Sequence, residues 1–210
     1  MDRGMIIFMG ALLTFASSWL GLVLIPQVEL TKENPHVIDE VTSEVYPRPL
    51  SALEEQGRKV YMANGCIYCH SQYVRSEKMG NNSDILRNWG GPYNRRTVSL
   101  DYIYDQPILL GTMRTGPDLS NVGARWSDDW QYKHLFNPRM MVPESIMPPF
   151  RFLFEKRKRL GQGSRDAIVL SGRFALPSDQ ELTPTEDGKA LIAYLHALVK
   201  NADLPEAHEP

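Results

Sequence analysis

Cysteine is scarce in this chain, with two in 210 residues. Two thiols cannot build a disulfide scaffold, and they fall short of the four nitrogen or sulfur ligands of an ordinary closed zinc site. Net charge is also small. Twenty-three Lys and Arg stand against 25 Asp and Glu, for a formal charge of -2, so the cationic excess that phosphate binding requires is missing and no nucleic-acid partner is expected. Few stretches alternate apolar and polar residues as strands do. The apolar and charged shares, 42% and 23%, are those of a folded protein and exclude general disorder.

Charge is wholly absent from Met5 to Pro26, MIIFMGALLTFASSWLGLVLIP. As a helix this run would extend about 33 Å, close to the hydrocarbon thickness of a bilayer. It exceeds the apolar core of a signal peptide, and no small-x-small cleavage site follows Ile25, so residues 1–27 are expected to form a transmembrane anchor. The leading MDRG pairs one Arg with one Asp and leaves the sidedness open. Residues 28–50 are polar and proline-bounded from Val28 to Pro49, which reads as a linker.

A domain of residues 51–210 follows. Ser51-Ala-Leu-Glu54 is a capping box, and Leu53, Gly57, Val60 and Tyr61 recur at helical spacing behind it. Ser127-Asp-Asp-Trp130 opens a short helix that Asn137-Pro138 stops. Thr183-Pro-Thr-Glu186 reads as a second capping box, with Thr183 at the cap of a last helix carrying Leu191, Tyr194, Leu195 and Leu198 on one side. The expected fold is mostly α with long loops.

Both cysteines fall in Gly65-Cys-Ile-Tyr-Cys-His70. A thioredoxin-like dithiol would need a βαβ setting, whereas this motif follows a helix, and a zinc site would need a second ligand pair. Cys-x-x-Cys-His matches covalent attachment of a c-type haem, with Cys66 and Cys69 adding to the porphyrin vinyls and His70 ligating the iron. The sixth iron ligand then separates an electron carrier from a gas-binding site. Met147 is the best candidate, because the prolines after it hold it extended and stiffen its approach. Met140 and Met141 stand in reserve, and His134 is the candidate for bis-His ligation.

These residues resemble a family. Gly65-Cys-x-x-Cys-His70, Gly116-Pro-Asp-Leu119 and Ser145-x-Met-Pro148, set between two capped helices, are similar to the class I cytochrome c pattern. CHSQYVR (69–75), YDQP (104–107), RTGPDLSNVGARWSDDW (114–130) and HLFNPRMMVPESIMP (134–148) more narrowly resemble the monohaem subunit II of cbb3-type cytochrome c oxidases. Gly80 to Ser99 and Leu153 to Ser178 carry no block of the resemblance; the basic run in the second reads as a solvated face or a docking patch for an acidic partner.

The resemblance implies an electron-transfer subunit without catalytic residues of its own. One covalent haem c would be held by Cys66 and Cys69, with His70 and Met147 as axial ligands and the carbonyl of Pro117 accepting from His70. Leu119 would line the haem, and Arg125 and Trp126 would donate to a propionate. Electrons would arrive from a dihaem cytochrome c subunit or a soluble cytochrome c and leave to the haem b-containing catalytic subunit. Thr112 is the candidate contact for a structural calcium at that interface. The haem domain would lie on the periplasmic side of the bacterial inner membrane, where c-type haem is attached. Three rival readings are a cytochrome subunit of a nitric oxide reductase, a free-standing tethered shuttle and a haem gas sensor.

Overall fold

The computed structural model describes residues 3–39, 43–82 and 84–208. The chain divides into two compact units, one of residues 1–48 and 98–106, the other of residues 49–97 and 107–210.

The first unit begins with helix α1, Gly4–Leu30, long and apolar enough to cross a membrane and with no part of its apolar window buried. Two of its polar side chains bond to its own backbone: Thr14 Oγ1 donates to the Gly10 carbonyl at 2.9 Å and Ser17 Oγ to the Thr14 carbonyl at 3.0 Å. That economy suits hydrocarbon, which offers no partners. Leu20–Leu24 widens into a π turn just before Pro26. Proline supplies no N–H to the carbonyl four residues back, and such insertions accompany the lost bond.

The helix runs through Val28 to Leu30, and strands β1 (His36–Asp39) and β2 (Glu44–Tyr46) pair antiparallel, so the stretch expected as a linker carries structure of its own. In the same unit Tyr46 donates its hydroxyl to Asp101, and the Val98 amide donates to the same carboxylate at 2.8 Å.

The second unit is built on two crossed helices, α2 (Ala52–Ala63) and the last helix of the chain, Glu186–Ala197. Helix α2 has the expected capping box: Ser51 accepts from the Glu54 amide and Glu54 accepts from the Ser51 amide. Gly57 permits the crossing, because a Cβ there would stand 1.9 Å from the Ala190 carbonyl oxygen. Tyr61 and Tyr194 meet edge to face at 5.5 Å beside it. Val60, Leu191, Ile192 and Leu195 complete the buried seam.

Helix α3 (Asp128–Phe136) starts at the expected cap, Ser127, whose hydroxyl accepts from the Trp130 amide. It delivers Leu135 and Phe136 to the core, where Phe136 packs edge-on against Phe154 at 5.5 Å. Strands β3 (Phe154–Lys158) and β4 (Gln180–Pro184) then form an antiparallel pair. The basic run thus lies on an extended edge, and Arg157 pairs with Glu181 opposite it at 2.8 Å.

Strand β4 corrects one expectation. Thr183 and Pro184 pair with Glu155 and Phe154, and the cap of the last helix, α4 (Glu186–Ala197), is Thr185, whose hydroxyl accepts from the Gly188 amide at 3.1 Å. A residue already paired in a ladder has extended geometry committed to its partner, so the cap moves two positions on. About 43% of the chain is helical, and two strand pairs join the helices and loops that were expected.

Candidate functional site

The Cys-x-x-Cys-His run sits where α2 ends. Gly65 adopts the left-handed region, φ +68°, which stops the helix and turns the chain sharply. Cys66–Tyr68 makes one tight helical turn, closed by bonds from the Cys69 and His70 amides to the Cys66 carbonyl at 3.1 and 3.0 Å. That turn brings both thiols and the imidazole into one short arc.

Both cysteines are free, Cys66 half-buried and Cys69 exposed. Burial pushes the Cys66 thiol up to about 11. A redox dithiol needs the opposite, a depressed pKa that keeps the attacking sulfur ionised. Among the described residues no group of three or more His, Cys, Asp or Glu gathers as a metal site, so a zinc reading finds no further ligands there.

His70 is buried, 9% exposed, and its Nδ1 lies 2.8 Å from the Pro117 carbonyl oxygen. A carbonyl only accepts, so Nδ1 carries the proton. Burial lowers the ring's pKa, opposed by the Pro117 bond and by Asp118. The ring is therefore neutral near pH 7 and its lone pair is on Nε2, the form in which histidine ligates a metal.

Two backbone segments hold this residue, one of them against the ring itself. Gly116 lies against it so closely that a Cβ would stand 2.2 Å from Cε1, and the Gly116 amide donates to the Cys69 carbonyl at 2.8 Å. The Leu119 amide donates to the Ser71 carbonyl at 2.8 Å, and the Gln72 amide to the Leu110 carbonyl at 2.9 Å. Gly111, at φ +82°, passes under the His70 carbonyl, where a Cβ would stand 2.5 Å from the oxygen.

Charged groups that the sequence reading did not single out reinforce the bracket. Asp118, 3% exposed, accepts from Ser71 Oγ at 2.6 Å, the Tyr73 amide at 2.9 Å and the Ser120 amide at 2.8 Å. Burial raises its pKa against the pull of those hydrogen bonds. Asp84, fully buried, pairs with Arg75 at 3.2 Å and with Arg114 at 2.8 Å. The RTGPDL and CHSQYVR blocks contained Arg114, Asp118 and Arg75, but Asp84 lay in a stretch without a signal.

Most of the other candidates fall in two places, the core and helix α3 with its approach. Met147 is half-buried against the core; its amide donates to Ser145 Oγ and its carbonyl accepts from Arg139, each at 3.3 Å. Met140 packs partly buried against the same core, as does Leu119, and Met141 is half-buried. Arg125 is exposed, its guanidinium 5.8 Å from the Trp126 ring centre. Trp126 stacks on Trp130 at 4.3 Å, and Trp130 stacks on His134 at 4.7 Å, a three-ring ladder leading along α3. Thr112 is exposed.

His134 ends that ladder near enough to His70 that a positive charge on one ring disfavours a positive charge on the other. Burial and that neighbouring ring push its pKa down to about 4. Among the described residues its Nδ1 is buried without a hydrogen-bond partner, as is Nε2 of Gln131 one turn earlier. Buried polar atoms are normally satisfied, so two unsatisfied ones on the same helix fit a site built to receive a polar or anionic group. Two free thiols, a neutral imidazole with Nε2 available, half-buried thioethers and these atoms together suit a covalent haem with its carboxylates.

Residues 3–188 match the family model described as cytochrome c oxidase, mono-heme subunit/FixO. No curated protein matches the chain.

Proposed function

This chain belongs to the FixO family, the mono-haem subunits of cytochrome c oxidase, and we propose that it serves a cbb3-type complex as a membrane-anchored single-electron relay. The bracket around His70 carries this reading. A buried imidazole, protonated at Nδ1 by its 2.8 Å bond to Pro117 and directly following two free thiols, has the form an axial haem ligand requires.

Cys66 and Cys69 would hold one haem c through thioether bonds, and His70 and Met147 would be its axial ligands. When bound, the haem supplies a one-electron ferric/ferrous couple. Pro117 would polarise the imidazole and fix its plane, and Gly116 lets the backbone lie against the ring; Leu119, partly buried against the core, would line the haem. Arg125, Trp126 and His134 are the donors proposed for the propionates. Held by both His70 and Met147, the haem would supply electron transfer at a fairly high potential in preference to gas binding.

The proposed donor is a dihaem cytochrome c subunit or a soluble cytochrome c, and the acceptor is the haem b-containing catalytic subunit. Helix α1 would anchor the chain in the bacterial inner membrane with the haem unit on the periplasmic side. Calcium takes six to eight oxygens, so a calcium at the subunit interface would draw most of its ligands from the partner, with Thr112 giving one.

Co-purification from native membranes tests the proposal. We expect a complex containing both c-type and b-type haem, with this chain carrying covalent haem, that consumes oxygen when supplied with reduced cytochrome. A complex that reduces only nitric oxide, or an isolated chain without b-type haem, would overturn it.

A further inference from the structure

The charged side chains around the His70 bracket have no part in electron transfer as described above, yet they are among the most buried in the second unit. Arg114 has an unusual span. Its Nε donates to Ser71 Oγ at 2.7 Å, one terminal nitrogen donates to Asp84 at 2.9 Å, and the other donates to the Tyr73 carbonyl at 2.6 Å. Its guanidinium also stacks on Tyr73, 4.5 Å from the ring centre. One side chain thus ties residues 71–73, which directly follow the imidazole, to the segment that carries Gly116 and Pro117.

Pro117 needs such help. It has no N–H, so no backbone bond of its own can fix the position of the carbonyl that meets His70. Its neighbours do so instead: the Gly116 amide on Cys69, the Leu119 amide on Ser71, and the Asp118 carboxylate, which takes hydrogen bonds from Ser71 Oγ and the Tyr73 amide. Ser71 Oγ is the junction, donating to Asp118 and accepting from Arg114. Asp84 then anchors Arg114 from behind, and Arg75 closes the far side, its backbone amide on Asp84 at 2.7 Å.

We propose that Arg114, acting through Ser71 and Asp118, is a positioning residue for His70. It sets how firmly the Pro117 carbonyl polarises Nδ1–H, and so how strongly Nε2 donates to iron. Lysine could not replace it, because one ammonium cannot reach three partners with a planar fork. The proposal rests on the reading of His70 as an axial haem ligand. A firmer Nδ1–H bond makes the imidazole a stronger donor and stabilises ferric iron. Loosening the bracket should therefore raise the potential.

Arg114→Lys in the full-length, haem-loaded chain keeps the net charge and removes the fork. We expect its ferric/ferrous equilibrium to shift toward the reduced form roughly threefold, about 28 mV at 59 mV per tenfold, read by spectroelectrochemical titration. The Nδ1 proton of His70 should also exchange faster by nuclear magnetic resonance. Ser71→Ala, a milder change at the junction, should shift both in the same direction by less. If Arg114→Lys does not accumulate, Ser71→Ala decides by the same two readouts. A lowered melting temperature with unchanged potential and unchanged proton exchange would overturn the proposal and leave the network a structural brace. Failure of the underlying reading looks different: His70→Ala would then leave the axial-ligand spectrum of the parent chain intact.

Discussion

Gly116→Ala should damage the site through a single methyl group. The added Cβ would stand 2.2 Å from Cε1, 2.6 Å from Nδ1 and 2.8 Å from Nε2 of His70. Ordinary contact begins near 3.4 Å, so the ring or the backbone must yield by about 1.2 Å. The 2.8 Å bond from Nδ1 to Pro117 would then stretch to about 4 Å, beyond hydrogen-bonding range. Losing that bond costs about 1 kcal/mol, and overpacking a closed site adds about 1–3 kcal/mol. At about 2–4 °C per kcal/mol for a chain of this length, the sum of about 2–4 kcal/mol lowers the melting temperature by about 4–16 °C. The assay pairs a thermal melt with a redox titration of the attached haem on the same sample. Melting should fall and the potential should rise, because the loosened imidazole donates less to iron. Gly10→Ala, with nothing within 4 Å of the new atom, should change neither. An unchanged melt would refute the steric reasoning; a lowered melt with an unchanged potential would refute the coupling between the bracket and the iron.

Three further outcomes are expected. Met147→Ala should abolish the thioether-to-iron absorption band while Met140→Ala and Met141→Ala keep it; a band that survives the first and vanishes in one of the others moves the axial assignment. In chain expressed without haem attachment, iodoacetamide at pH 7.5 should label exposed Cys69 well before Cys66, since a thiol pushed up to about 11 has roughly a hundredfold less thiolate than an ordinary one; equal labelling, read by peptide mass, would refute this. In the chain expressed without haem, His134, pushed down to about 4, is neutral when folded at pH 7 but takes up a proton near pH 6.5 once unfolded. The unfolded state thus binds more protons between those values, so up to about 3 kcal/mol of stability should be lost as pH falls from 6.5 to 4, and His134→Asn should flatten that slope in denaturant titrations.

Local features were legible wherever a few neighbouring residues settle the matter. Ser51 and Glu54 satisfy each other's amides across one turn, and Ser127 caps its own helix, so both starts could be read from spacing alone. The Thr183 cap failed for the opposite reason. Local chemistry favoured Thr183, with Pro184 and Glu186 behind it, but the choice fell to Glu155 and Phe154, which pair with Thr183 and Pro184 from 28 and 30 positions away. The basic run likewise showed no alternation, because Lys156, Arg157 and Lys158 are all exposed on an edge and its strand pairing comes from β4. The same division runs through the site. His70 announced itself by its two cysteines, whereas Asp84, the fully buried partner of Arg114, had nothing beside it to mark it.

By itself the sequence determined what depends on adjacency: an uncharged run long enough to cross a bilayer, and two thiols and an imidazole close enough to share one haem. Tertiary structure decided which carbonyl holds that imidazole, which glycine gives it room, and which buried charges close the bracket. The bonds of His70 to Pro117, Ser71 to Asp118 and Arg114 to Asp84 span 30 to 47 positions, and a hydrogen bond of under 3 Å across such a separation exists only after the chain has folded back on itself.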